Sequence, residues 1–247
     1  MPKDIDEALA GWDFRPGVVQ ARLVDAQDGR QVLQMRVDLG VLQMELEGRP
    51  DGQRPHGFLT YLDYLRDQAA RARNSGQRFR MNAEQCQEAD REFLQYYHRR
   101  ICWLTLRLYE RAIADADHTL AFMDFVNRYA PDEEYALAHE QYRGFVHFHR
   151  AQATAGLALE RNDPETAIDE LHHGIEQIRA FYEKHALLDR FEEDPMVRHL
   201  RQMQEQIREM HHIDATLQEQ LAEAVAREDY ERAAQLRDAI RRRRHHS

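Results

Sequence analysis

The sequence predicts a mainly α-helical fold with a small N-terminal antiparallel β element, helical hairpins in the middle, then a long helix and a C-terminal helical hairpin. Three observations carry this. Strict apolar alternation is confined to residues 18–47. Apolar residues at steps of three and four run through most of the remaining chain. Capping signals such as Asp163-Pro164 and Asp194-Pro195 punctuate those runs.

In the β region Val19, Ala21 and Leu23 alternate with polar neighbours, and Asp28-Gly29 supplies a hairpin turn because both residues tolerate positive φ. Leu33, Met35, Val37 and Leu39 alternate on the return strand. After Gly40 the parity flips to Leu42, Met44 and Leu46, which predicts a bulge or tight turn at Gly40. The string Val-Leu-Gln-Met occurs at 32–35 and again at 41–44, consistent with two similar strands. Residues 48–57 form a turn-rich connector. Its Arg49, Asp51, Arg54 and His56 allow a binding loop as the competing reading, but a linker is the simpler one.

From Phe58 to about Asn74 an amphipathic helix is expected, with Leu59, Leu62, Leu65 and Ala69 on one face. Asn82 and Gln85 make a capping box for a helix through Phe93, Tyr97, Ile101 and Leu104. A turn near Leu106–Tyr109 separates it from a helix carrying Ala112, Ala116, Leu120 and Met123. Asp132 caps a helix beginning near Glu133. Asp163, followed by a proline, starts a helix with the stripe Ile168, Leu171, Ile175, Ile178 and Tyr182. After Asp194-Pro195 a single stripe runs from Val197 to Val225, which predicts one helix about 43 Å long. The expected organisation is a β element and connector at 1–57, a helical domain at 58–190, and the long helix with its hairpin at 191–247.

Composition narrows the function. The net charge of −10 makes a general nucleic-acid coater a poor reading, because phosphate neutralisation dominates nonspecific affinity. No apolar run reaches spanning length and the first residues lack a secretory h-region, so a cytoplasmic location is expected. Cys86 and Cys102 lie sixteen positions apart on one predicted helix, roughly 24 Å, far beyond disulfide reach. They are expected to be free, buried thiols, and without a CxxC pair no zinc ribbon is expected. The histidines give no ligand set. His139 and His147 share a face, His147 and His149 diverge, His172 and His173 diverge, and His139-Glu140-Gln141-Tyr142-Arg143 fails HExxH at its last position. No Walker A, GxGxxG or GxSxG motif is present, and the carboxylates scatter at spacings typical of solvated faces. No catalytic residue, cofactor or metal is therefore expected. Trp12, Phe14 and Trp103 read as core anchors.

The C-terminal segment carries the strongest signal. Leu217, Leu221, Ala224 and Val225 face one way on a first short helix. Glu228-Asp229 interrupts, with Asp229 as the next N-cap, and Tyr230, Ala233, Ala234, Leu236 and Ile240 face inward on the second. This string, with Asp229-Tyr230-Glu231 followed by Ala233-Ala234-x-Leu236-Arg237-Asp238, resembles the UvrB/UvrC (UVR) motif over about residues 213–241. The resemblance implies a helical hairpin that pairs with another such hairpin, as between two nucleotide-excision repair proteins. The motif also occurs in regulators of Clp-type proteases. The chain lacks the helicase and nuclease portions of the former and the paired cysteines of the latter, so what is implied is a mode of association.

Three functions are expected candidates. The leading one is a non-enzymatic adaptor that meets a partner carrying a like hairpin, or a second copy of itself. Leu217, Leu221, Val225, Leu236 and Ile240 would supply apolar contact, with Arg237 and Asp238 at the rim. The alternatives are a DNA-repair or nucleic-acid accessory protein using the basic tail Arg241–Arg244 with His245 and His246, and a regulator of a Clp-type protease. The segment Leu159 to Ile168 also resembles the turn of a tetratricopeptide repeat, and Tyr109 to Ala116 the start of a second repeat helix. Their separation of 55 residues departs from a regular period of about 34. That resemblance implies either a peptide-binding groove or a bundle with similar local packing.

Overall fold

A computed structural model of the protein describes residues 5–244, with side chains to residue 242. In chain order it contains a short helix α1 (Asp6–Leu9), strands β1 (Ala21–Asp25), β2 (Gln31–Val37) and β3 (Gly40–Glu45), and helices α2 (Tyr61–Asn74), α3 (Ala83–Thr105), α4 (Tyr109–Tyr129), α5 (Glu133–Glu140), α6 (Arg143–Glu160), α7 (Pro164–Lys184), α8 (Pro195–His211), α9 (Leu217–Ala226) and α10 (Tyr230–Arg244). A 3-10 segment, Leu188–Glu193, lies between α7 and α8. Among the described residues no helix is long and apolar enough to cross a membrane. The chain forms two compact units, 1–149 and 150–247, and the division falls within α6.

The sheet of the first unit is an antiparallel meander in the order β1-β2-β3. The Val-Leu-Gln-Met repeat has a register reason. Leu33 pairs with Met44, Gln34 with Gln43 and Met35 with Leu42, so one string read backwards matches the other. Gln43 Oε1 accepts from Gln34 Nε2 at 3.1 Å, while Gln34 Oε1 accepts from Arg22 Nε at 3.0 Å, giving a polar ladder across all three strands. The parity flip has its tight turn at Asp38-Leu39, just ahead of Gly40, which already pairs with Val37. Leu39 is therefore not a strand residue, and at 90% exposure it is the turn tip. Central strand β2 buries Val32, Leu33 and Gln34 in succession rather than alternating, because both its faces are covered. Trp103 is a core residue as expected, but Trp12 and Phe14 are only half-buried. They lie under guanidinium groups instead, Arg22 4.0 Å from the Trp12 ring centroid and Arg36 5.9 Å from that of Phe14.

Helices α2, α3 and α4 enclose an apolar cluster that includes Leu62, Leu65, Met81, Ala89, Phe122 and Val126. The first of them starts at Tyr61, three residues later than expected, because Thr60 Oγ1 accepts from Asp63 N and leaves Leu59 outside the helix. The Asn82–Gln85 capping box is formed, and Asp132, Asp163 and Asp194 cap α5, α7 and α8.

The interior of this unit is more polar than the spacing of its carboxylates suggests. Glu92, Asp115 and Glu140 are buried, not solvated. Asp115 accepts two hydrogen bonds from Arg99, at 2.7 and 2.9 Å, and one from Trp103 Nε1 at 3.1 Å. Arg99 Nη1 also donates to the carbonyls of Glu45 and Gly48, fastening the end of β3 to α3. Glu92 Oε2 accepts from Tyr61 N at 2.6 Å and its Oε1 from Leu62 N at 3.2 Å, so a residue of α3 supplies the acceptor that the first amides of α2 lack. The connector 48–57 is pinned by Arg49, whose side chain is buried against Asp51 and Glu88. Cys86 and Cys102 are free and buried, and burial pushes the Cys102 thiol up to about 12.

In the second unit α7 buries Ala167, Ile168, Leu171, Ile175 and Ile178. Gly174 permits its close approach to α6. A Cβ there would stand 2.3 Å from that of Ala151, a separation no pair of methyl groups tolerates. The long helix expected from Val197 to Val225 is two helices. His212 adopts a left-handed conformation (φ 55°, ψ 46°) and ends α8. Thr216 then opens α9.

Candidate interaction site

The hairpin is set by three local devices. Thr216 and Glu219 form a capping box, Thr216 N donating to Glu219 Oε2 at 2.8 Å and Glu219 N to Thr216 Oγ1 at 3.3 Å. At the turn Glu228 takes a positive φ of 59°, and Asp229 N donates to Ala224 O at 2.9 Å. Asp229 Oδ1 then accepts from Arg232 N at 3.0 Å and starts α10, the cap read from the sequence.

Between the helices Ala224, Ala233 and Leu236 are buried, with Leu217 and Leu221 packed partly buried against them. The two alanines leave no bulk at the crossing, which is what lets a pair this short share a core. Ala234 and Ile240 are half-buried. Two expected inward residues turn out. Val225 is 52% and Tyr230 69% exposed, one on the last turn of α9 and the other opening α10. The turn explains both: with Glu228 left-handed and Asp229 bonded back to Ala224, the seam passes from Ala224 to Ala233. Arg237 and Asp238 are exposed. So are Arg241 and Arg242, while the side chains of Arg243 and Arg244, and all of His245 and His246, lie outside the described residues.

The hairpin is also fastened within its own unit. Thr216 Oγ1 donates to Asp169 Oδ1 of α7 at 2.7 Å, and Thr216 is fully buried. Arg208 of α8 donates to Glu219 through Nη2 and to Asp214 O through Nη1, the latter at 3.2 Å. Burial alone would raise the Glu219 carboxyl. The Arg208 guanidinium, the Thr216 amide and the nearby His172 outweigh it and hold the carboxyl below the ordinary glutamate range. Thr216, Glu219, Arg208 and Asp169 are residues that sequence reasoning missed. The spacing Thr216-x-x-Glu219 was a legible signal for the box, but nothing in the chain announces Asp169, 47 positions away.

Three of the described histidines, His118, His139 and His149, serve as hydrogen-bonding groups. His139 Nε2 meets Asp90 at 3.0 Å, and His149 Nδ1 accepts from Arg100 Nε at 3.2 Å. Among the described residues no three or more histidine, cysteine or carboxylate side chains converge as a metal site would need.

Comparison with known proteins adds one finding of similarity. Residues 215–243 match the family described as the UvrB/uvrC motif (UVR), the same segment that folds as the α9–α10 hairpin. The motif is in general a protein–protein interaction element. No curated protein and no solved structure matches the chain.

Proposed function

We propose that this protein is a non-enzymatic adaptor of the cytoplasm, joined to its partner through the α9–α10 hairpin. The observation that carries the reading is the UVR match at 215–243, on a hairpin that keeps Val225 and Tyr230 outside its own core. Leu217, Leu221, Ala224, Ala233 and Leu236 hold the hairpin in shape. Val225 and Tyr230 present apolar and aromatic surface, while Arg237 and Asp238 add opposite charges that set orientation. The partner is a protein with a like hairpin, or a second copy of this chain.

The test compares the full-length protein with its Val225→Asp/Tyr230→Ala variant, by sedimentation and by affinity isolation from the source cell read by mass spectrometry. Both substitutions are at exposed positions, and the helical circular dichroism is expected to stay intact. The expected result is a lower sedimentation coefficient, or a set of proteins that the variant no longer retains. Identical sedimentation and an identical set of retained proteins would remove the hairpin as the docking element. A steep salt dependence with nucleic acid in the isolate would move the reading to the arginines of α10.

A further inference from the structure

In a chain of net charge −10, the crevice between α2 and α4 runs against the overall sign. On α2, Arg66, Ala69, Ala70 and Arg73 fall at steps of three, four and seven, one face of the helix. On α4, Ala121 and Arg128 stand seven apart on the facing wall. Between them lies a cavity of about 300 Å³. The lining includes the Asp124 carboxylate, which Arg143 Nη2 already engages at 2.8 Å. Among the described residues Arg66 pairs only with Asp63, at 3.9 Å, and Arg128 lies over the Tyr129 ring at 5.4 Å. Arg73 and Arg128 have no ion pair among the described residues.

We propose that this crevice is a docking groove for an acidic helix of a partner protein, with carboxylates seven residues apart meeting Arg66 and Arg73 and a third reaching Arg128. Seven residues of helix rise about 10.5 Å, so carboxylates at that spacing repeat the spacing of the two α2 arginines. Guanidinium groups take carboxylates through paired, charge-assisted hydrogen bonds. The alanines at 69, 70 and 121 keep side-chain bulk out of the crevice, which lets a helix carrying alanines between its carboxylates approach closely. Tyr129, half-buried, adds aromatic surface for that helix's apolar stem atoms above the buried Phe125. A nucleic acid is the poorer occupant, because its dense charge meets the repulsion of the whole chain whereas a short peptide carries only a few charges. The groove lies in the first unit and is independent of the hairpin and its role.

The probe is a fluorescein-labelled, alanine-based helical peptide with glutamates at positions i, i+4 and i+7, titrated against the full-length protein by fluorescence anisotropy. Saturable binding that weakens as salt rises is expected. Arg73→Glu/Arg128→Glu should weaken it by about tenfold or more, since each pair lost removes a charge-assisted contact. The control Arg190→Glu/Arg198→Glu reverses two exposed arginines of the other unit and should change affinity little. A glutamine version of the peptide should not bind. Equal weakening by both double variants would reduce the effect to net charge and overturn the proposal, as would binding of a single-stranded oligonucleotide, but not the peptide, at the same groove residues. Circular dichroism of each variant separates loss of the groove from loss of fold.

Discussion

The hydroxyl of Thr216 bonds across 47 positions to the Asp169 carboxylate, 2.7 Å away, while its oxygen also caps the helix that Thr216 opens. One buried side chain thus both starts the hairpin and ties it to α7. Thr216→Ala removes the two together. A lost cap together with a lost hydrogen bond to the half-buried Asp169 costs about 1–3 kcal/mol of local stability. Amide hydrogen exchange is expected to accelerate across α9 while α7 stays protected. Unchanged α9 protection would mean the tether is incidental.

Leu236 and Val225 should separate shape from association. Leu236→Ala opens the seam under Ala224 and Ala233 and should cost on the order of 2–3 kcal/mol of hairpin packing, toward the low end for a core this small. Val225→Ala, at a half-exposed position, should change hairpin stability by about 0.5 kcal/mol or less yet weaken partner binding. Denaturant titration followed by α9–α10 exchange reads the first, and the affinity isolation reads the second. The reverse ranking would exchange the two roles.

In the first unit the Arg99–Asp115 pair is buried on both sides, so breaking it leaves a charge without its counterpart. Asp115→Ala is expected to destabilise by about 3–5 kcal/mol, and Arg99→Met by a similar amount. The double variant Arg99→Met/Asp115→Leu should recover part of that loss, measured as a double-mutant cycle in urea. Strict additivity would show that the two side chains do not act as a pair.

His149 gives a pH dependence. Burial, and then the Arg100 guanidinium that bonds it, push its imidazole down to about 3. The folded state therefore holds the ring neutral, while the unfolded chain protonates it near its ordinary value of about 6.5. Stability from this group is complete above that value and is lost as pH falls toward the folded pKa, by at most about 1.4 kcal/mol per pH unit. His149→Gln should flatten the fall in unfolding free energy between pH 6 and pH 4 relative to the parent. Parallel slopes would show that His149 is not the group responsible.

What could be read from the chain was what is written locally. Asn82 with Gln85, Asp132, Asp163-Pro164 and Asp194-Pro195 each state a helix start within four residues, and each is in place. Asp28-Gly29 and the hairpin turn at Glu228-Asp229 are of the same kind. The break at His212 was not legible, because the apolar stripe keeps its period across it and left-handed histidine has no signature of its own. Nor were Arg49, Glu92 and Asp115 legible as interior groups. Charge predicts solvent exposure unless partners are known, and apart from Asp51, two positions from Arg49, theirs lie 12 to 46 positions distant. Val225 and Tyr230 read as inward because they sit within the motif's apolar run. The phase of the turn, which no spacing rule reports, decides that Ala224 and Ala233 face each other instead.

The capping of α2 by Glu92 bears on the order in which the chain becomes structured as it leaves the ribosome. Tyr61 and Leu62 are synthesised some thirty residues before the carboxylate that receives their amides. Until Glu92 has cleared the exit tunnel, those two N–H groups have only water to bond, and the start of α2 frays. The nascent segment is thus expected to acquire its native first turn only when α3 arrives, which makes the two helices a single unit of vectorial folding.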